Sequence, residues 1–171
     1  MTGKLTVGQA YLLQAKEDLS AARILGKEID SAPSSFFMLL QMVFEKLSKA
    51  DKYWNNKHLP AILTHEGADV CFSKFIDVKT RMYPEKRKYF NHLSGLIKTL
   101  EAAQPSIAKK ISSNSPILEY PWEDKNSIIR YPARDFPLVQ QIKSSQMNRI
   151  KSWAALKFAQ EYVNELEIKL Q

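Results

Sequence analysis

The spacing of apolar residues restricts the fold of this chain most, because they recur every three or four residues rather than every second one. That period puts them on one face of a helix, and it occurs in five segments. The five stripes are Leu12, Ala15, Leu19, Ala22, Leu25; Phe36, Leu40, Val43, Leu47, Ala50, Trp54; Ala68, Phe72, Phe75, Ile76; Phe90, Leu93, Ile97, Leu100, Ala103; and Trp153, Leu156, Ala159, Val163, Leu166, Leu170. The sequence therefore predicts an all-α, up-and-down bundle of about five helices.

Residues that start helices stand ahead of several stripes. Thr6 and Gln9 have the spacing of a capping box, in which the hydroxyl accepts from a first-turn amide and the Gln9 side chain reaches back. Thr64 is the expected N-cap of the third helix, with Glu66 in its first turn. Pro84 suits the first turn of the fourth helix, because a helix start needs no amide proton there.

One tract interrupts the helical pattern. Five of the eight prolines lie between residues 105 and 137, and four aromatic residues share that tract, namely Tyr120, Trp122, Tyr131 and Phe136. Aromatic residues favour packing against a core over a free linker. We therefore expect a long, ordered, proline-rich loop before the last helix, within a single domain that spans residues 1–171.

Composition excludes several classes of protein. The single cysteine, Cys71, excludes a disulfide framework and a four-thiolate zinc site. The longest apolar stretch, residues 36–44, is less than half of the roughly 20 residues that span a bilayer. The mixed, polar residues 1–9 contain no signal-peptide core, and the five glycines are too scattered for a phosphate-binding loop. We expect a cytoplasmic protein with no membrane contact, no cofactor and no metal.

The chain is basic, with 25 Lys and Arg against 18 Asp and Glu and a net charge of +7. Two stretches concentrate the excess. Residues 74–88 hold six basic and two acidic side chains, and residues 143–157 hold Lys143, Arg149, Lys151 and Lys157 with no acid. Such stretches are either solvated helix faces or surfaces for acidic partners such as nucleic acid.

Four motifs in order along the chain resemble HEPN (higher eukaryotes and prokaryotes nucleotide-binding) domains. Residues 41–50, Gln-Met-Val-Phe-Glu-Lys-Leu-Ser-Lys-Ala, resemble the signature of the family's second helix. Thr64-His65 is similar to the pair that opens its third helix, and Glu17-Asp18-Leu19 with Ala22 fits its first. Arg130-Tyr131-Pro132 fits a motif before its last helix. The resemblance covers nearly the whole chain.

The resemblance implies a helical bundle that dimerises and is linked to RNA or nucleotides. Some members are metal-independent RNases, often in toxin–antitoxin or defence systems, and others are inactive partners of a minimal nucleotidyltransferase. The active members carry an arginine followed at a short interval by a histidine, and two copies meet across the dimer. Arg87 and His92 have that spacing here, although Lys88 stands where the family favours Asn, Asp or His.

The chemistry of these two residue types suits RNA cleavage. A histidine can activate the ribose 2′-hydroxyl near neutral pH, and an arginine can stabilise charge on the phosphorane. On a regular helix, however, Arg87 and His92 stand about 140° apart, so one chain does not bring them together without a kink. The alternative interpretation is a structural or solvent-facing pair.

The leading hypothesis is a dimeric HEPN-like protein that binds RNA or a nucleotide. The expected contacts come from Arg81, Lys86, Arg87, Lys88, Tyr89 and Arg130. Lysine and arginine side chains would hold phosphates, and Tyr83 or Tyr89 would stack a base if exposed. The alternatives are a metal-independent endoribonuclease that uses Arg87 and His92, and a protein-interaction module without a nucleic-acid role.

Two further expectations concern the second helix. It is apolar or aromatic nearly all round at residues 36–40, which is more than one core face can bury and predicts a homodimer contact. Glu45, Lys46 and Lys49 are expected to form an intrahelical ion pair on a solvated face, or else to line a nucleotide groove.

Overall fold

A computed structural model describes residues 5–55, 67–104, 115–116, 122–130, 132–144 and 146–170. In this part of the chain the helices are α1 Val7–Lys27, α2 Pro33–Asn55, α3 Ala68–Met82, α4 Arg87–Ala102, α5 Pro132–Asp135, α6 Pro137–Ser144 and α7 Gln146–Leu170. A 3₁₀ turn, Pro84–Lys86, joins α3 to α4. Strands β1 Trp122–Glu123 and β2 Ile129–Arg130 form an antiparallel hairpin in which Trp122 pairs with Arg130. The predicted all-α bundle is confirmed.

The start of α1 is as predicted, whereas the start of α3 is not. The Thr6 hydroxyl accepts from the Gln9 amide at 3.2 Å, and the Gln9 side chain accepts from the Thr6 amide at 2.9 Å. Helix α3 begins at Ala68 with Gly67 as its N-cap. The expected cap Thr64, together with His65 and Glu66, lies outside the described residues.

The N-terminus of α3 is capped by a side chain from another helix. The Glu101 carboxylate of α4 accepts from the amides of Gly67 and Asp69, each at 2.6 Å. Gly67 has a φ of +106°, a left-handed conformation in which a side chain would be strained, and a Cβ there would also collide with the Lys52 side chain. This cap fixes α3 against α4.

Helix α2 runs through the centre of the bundle and contacts α1, α3, α4, α5, α6 and α7. Its large apolar residues are buried by these neighbours, among them Phe36, Phe37, Leu40 and Phe44. Within residues 36–40, Met38 and Leu39 are half-buried and pack against the core. One chain therefore covers much of this apolar surface, and the homodimer contact stays a prediction.

An aromatic cluster joins α2, α3 and α7. The Phe72 ring lies 5.0 Å from Phe44, 5.9 Å from Phe158 and 4.7 Å from Tyr162, measured between ring centroids. Phe75 also contacts the Tyr162 ring, at 4.7 Å. Pairs at these separations add to the free energy of apolar burial, so the cluster holds α3 beside α7.

Two tryptophans assigned to the apolar stripes are exposed. Trp54 is 36% exposed and Trp153 is 41% exposed. Trp54 lies in the last turn of α2, beyond most of the core. The Trp153 ring lies over Gly26, since a Cβ on that glycine would stand 3.4 Å from it. Both assignments to the core are wrong because a stripe's period does not show where the neighbouring helices end.

The proline-rich tract contains the hairpin and the short helices α5 and α6 in its described part. Phe136 and Val139 are buried in the core, which confirms that this end of the tract packs against the bundle. Residues 105–114, 117–121 and 131, and with them Tyr120 and Tyr131, lie outside the described residues. The described end of the tract is thus anchored by buried side chains.

Candidate nucleic-acid interface

The turn between α3 and α4 is the most exposed basic element of the described chain. Every residue from 81 to 88 is exposed, and this run contains Arg81, Lys86, Arg87 and Lys88 against Glu85 alone. Helix α3 ends at Met82, the amide of Tyr83 donates to the Lys79 carbonyl at 2.9 Å, and Pro84 starts the 3₁₀ turn. These cations therefore lie on a short, exposed connection between the ends of two helices, residues 81–88, which we call the basic turn.

The positive charge of the basic turn is not neutralised within the described chain. Arg81, Arg87 and Lys88 form no ion pair with any carboxylate of the described residues. The Lys86 ammonium lies 4.8 Å from the centroid of the exposed Tyr83 ring, a distance at which a cation is attracted to the face of an aromatic ring. The turn thus presents four cations and one exposed ring to solvent.

A cleft of about 610 Å³ lies beside the basic turn, where α7 passes the ends of α3 and α4. Lys79, Lys86 and Lys157 contribute positive charge to its walls, and Glu161 and Glu165 contribute negative charge. Lys157 belongs to the second basic stretch of the sequence. The fold therefore brings one member of that stretch next to the first, although the side chains of Lys143, Arg149 and Lys151 lie outside the described part of the chain.

Tyr89 lines this cleft but does not offer a free ring for stacking. Its hydroxyl donates to the Ala154 carbonyl at 3.2 Å, and its ring meets Phe90 edge-on at 5.2 Å. Burial, helped by the charge of Glu161, raises the pKa of Tyr89 to about 12. Phe90 is buried, as expected. Of the aromatic residues proposed to stack a base, Tyr83 is the exposed one.

Arg87 and His92 both lie in the uninterrupted helix α4. Arg87 is exposed at its first residue, and His92 is half-buried. Five positions on a regular helix separate two side chains by about 140° around the axis, and α4 has no break between them. A single chain therefore does not assemble this pair into one catalytic site, and any joint action needs a second copy.

Arg130 is engaged within the hairpin. Its guanidinium binds the Asp124 carboxylate through Nε and Nη2, each at 2.8 Å, and Nη1 lies 4.0 Å from Asp135. The amide of Ile128, together with Arg130, holds the pKa of Asp124 below its ordinary value. Arg130 does not line the cleft beside the basic turn.

The charged residues of the HEPN-like motif are buried between helices. The Lys49 ammonium pairs with Glu45 at 2.7 Å, with side chains only 8% and 12% exposed. Lys46 pairs with Asp18 of α1 instead of with its own helix. The expected intrahelical pair is confirmed for Glu45 and Lys49, but the expected solvated face is wrong, because both side chains are largely closed to water. The Lys46–Asp18 pair joins α2 to α1. None of these residues lines the two clefts.

A second cleft, of about 590 Å³, lies between α2, α3 and the end of α7. At its wall the Cys71 thiol lies 3.4 Å from the Tyr162 hydroxyl and 3.7 Å from the Asp51 carboxylate, and Lys169 lies 3.6 Å from Asp51. Burial raises the pKa of Cys71 to about 11. The thiol is therefore protonated near neutral pH and is a poor nucleophile.

Among the described residues, no three His, Cys, Asp or Glu side chains lie close enough together to hold a metal ion. Within the same residues, none of the helices combines the length and the apolar character that crossing a bilayer requires. His58 and His65 lie outside the described residues.

Comparison of the chain with protein-family models, with curated proteins and with solved structures finds no significant match. The resemblance to HEPN domains therefore rests on the motifs of the sequence alone. Sequence reasoning found the basic turn through its charge excess. Lys79 begins the stretch of residues 79–92 expected to contact RNA, but Glu161 and Glu165 were not predicted as parts of a site, because no local pattern shows that α7 passes the end of α3.

Proposed function

We propose that this protein is a HEPN-like, RNA-binding protein and that the basic turn is its contact surface for RNA. One observation supports this most: the exposed run 81–88 carries four cations and one acid. Arginine and lysine bind phosphates by charge-assisted hydrogen bonds, and neutralised phosphates release counterions, which is the main source of affinity for nucleic acid.

Single-stranded RNA fits this surface better than a duplex or a free nucleotide. Tyr83 is exposed beside Lys86, and an aromatic ring among cations binds unstacked bases. Every residue of the basic turn is exposed, so phosphates on either side of a stacked base can reach Arg81, Arg87 and Lys88. A free nucleotide offers fewer phosphates to the same cations, and we expect it to bind more weakly.

The test measures binding of a short labelled single-stranded RNA by fluorescence anisotropy across salt concentration. In a triple variant, Arg81→Ala, Arg87→Ala and Lys88→Ala, each lost phosphate contact lowers the slope of log K against log salt by about 0.7, so up to about 2 in total. The matched control removes the same charge elsewhere, by Arg23→Ala, Lys27→Ala and Lys98→Ala.

The control triple is expected to leave the salt slope within the error of the unmodified protein, since its three cations are exposed on α1 and farther along α4. Both triples should keep the helical circular dichroism spectrum, because none of the six side chains is buried. If the turn variant binds RNA with unchanged affinity and slope, the basic turn is not the site. The second basic stretch then becomes the candidate.

The resemblance also leads us to propose a homodimer, a partner such as a minimal nucleotidyltransferase, and a role in a toxin–antitoxin or defence system. Light scattering tests the assembly, since a mass near the 19.7 kDa of one chain contradicts it. Incubation of the protein with total RNA in EDTA, beside a His92→Ala variant, tests the endoribonuclease alternative. Cleavage that is lost in the variant would favour that alternative over binding alone.

A further inference from the structure

The cleft beside the basic turn contains a carboxylate that RNA binding by charge alone does not explain. Glu165 is neutralised by Lys79, whose ammonium lies 2.9 Å away. Glu161, in contrast, is exposed and forms no ion pair within the described residues. A free carboxylate repels phosphates, so its presence in the same cleft as Lys79, Lys86 and Lys157 calls for a ligand group other than a phosphate.

The neighbours of Glu161 define what that group can be. Lys157 precedes it by four residues, so both side chains leave the same face of α7, and both line the cleft. The Tyr89 hydroxyl donates its one hydrogen bond to the Ala154 carbonyl, so it does not donate to Glu161. The Glu161 carboxylate can therefore accept hydrogen bonds from a bound molecule, and the Lys157 ammonium beside it can donate them.

We propose that this cleft binds a guanine base of the RNA strand, with Glu161 accepting from N1–H and the 2-amino group and Lys157 donating to O6. This inference rests on the RNA-binding function proposed above. Guanine presents an acceptor and two adjacent donors along one edge. A carboxylate accepts two parallel hydrogen bonds and suits the two donors. Adenine and cytosine present one amino group next to a ring acceptor, which a carboxylate repels.

The position of the stacking residue supports the same assignment. Tyr83 lines the cleft together with Lys86, and its ring is exposed on the side of the basic turn. A base that stacks on this ring places its phosphates at the turn and its hydrogen-bonding edge toward α7. The phosphates then supply most of the affinity, and Glu161 supplies the selectivity.

The experiment compares short, uracil-rich RNAs that differ at one position, which holds guanosine, adenosine, cytidine or inosine. A bidentate contact discriminates by about 1–3 kcal/mol, so the guanosine RNA should bind roughly tenfold more tightly than the adenosine and cytidine RNAs. Inosine keeps N1–H and O6 but lacks the 2-amino group. It should lose most of that advantage.

The Glu161→Gln variant should bind all four RNAs within about twofold of one another, because a neutral amide no longer accepts from both donors. Glu165→Gln is the matched control on the same helix. It should change the affinity for every RNA alike, by releasing Lys79, and keep the preference for guanosine. Both positions reach solvent, so neither substitution is expected to unfold the protein.

The outcomes separate this inference from the function on which it rests. Salt-dependent binding without any preference for guanosine, or a preference that survives in Glu161→Gln, overturns the guanine site and leaves RNA binding in place. Absence of binding to all four RNAs overturns both. A preference for guanosine that is lost in Glu161→Gln and kept in Glu165→Gln is the expected result.

Discussion

The ion pair between Asp18 and Lys46 lies in the interface between α1 and α2, and it is almost closed to water. The Lys46 side chain is 16% exposed and that of Asp18 is 9% exposed. The Gln14 amide also donates to the Asp18 carboxylate, at 3.3 Å. In Lys46→Met the aliphatic stem remains, and the carboxylate keeps only that long contact. Removing one partner of a buried pair costs about 3–5 kcal/mol.

Because Lys46 still reaches some solvent, we expect Lys46→Met to lower the free energy of unfolding by about 2–3 kcal/mol. The measurement is urea denaturation followed by far-UV circular dichroism, with a thermal midpoint lowered by about 4–12 °C for a chain of this size. Lys16→Met on α1 is the control. Its pair with Glu167 is 44% and 38% exposed, so its loss should cost less than about 1 kcal/mol.

A double variant, Asp18→Leu with Lys46→Met, distinguishes the net contribution of the ion pair to the free energy of unfolding from the cost of burying an unpaired charge. Replacing both partners by apolar residues removes that penalty, so the double variant should recover at least half of the loss seen in Lys46→Met. If Lys46→Met costs no more than Lys16→Met, or if the double variant is simply the sum of its single changes, the pair does not act as a buried one.

Two further predictions concern the core and the second cleft. Phe72→Ala removes a fully buried ring that contacts three aromatic neighbours and should cost about 3–5 kcal/mol in urea denaturation; a cost under about 1 kcal/mol would mean that the cluster does not hold α3 in place. The pKa of Cys71 is raised from 9.0 to about 11, so its reactive thiolate fraction at pH 8 is about 100-fold smaller than that of an exposed thiol, and its alkylation should be slower by the same factor. An alkylation rate equal to that of an exposed thiol would contradict the burial of Cys71. Since this thiol ionises at lower pH in the unfolded chain, its contribution to stability is complete below pH 9 and is lost as the pH rises toward 11; Cys71→Ala should remove that part of the pH dependence.

The sequence alone predicts the helices because helix formation depends on residues three or four positions apart. The stripe that begins at Phe90 corresponds to α4, and Thr6 with Gln9 caps α1 as expected. The charge excess of residues 74–88 likewise predicts a basic surface, and the basic turn lies within it. Each of these features depends only on residues close together in the sequence, so it can be predicted without knowing which helices are neighbours.

Contacts between distant segments were decided only by the tertiary structure. Lys46 selects Asp18, which lies 28 residues earlier in the chain, and Glu101 caps a helix that begins more than 30 residues before it. Glu161 faces the basic turn only because α7 passes the ends of α3 and α4. The sequence around a charged residue on a helix does not show which other helix that residue will contact. Packing of the apolar faces determines which helices are neighbours, and the polar groups then form hydrogen bonds and ion pairs with whatever groups those neighbours present.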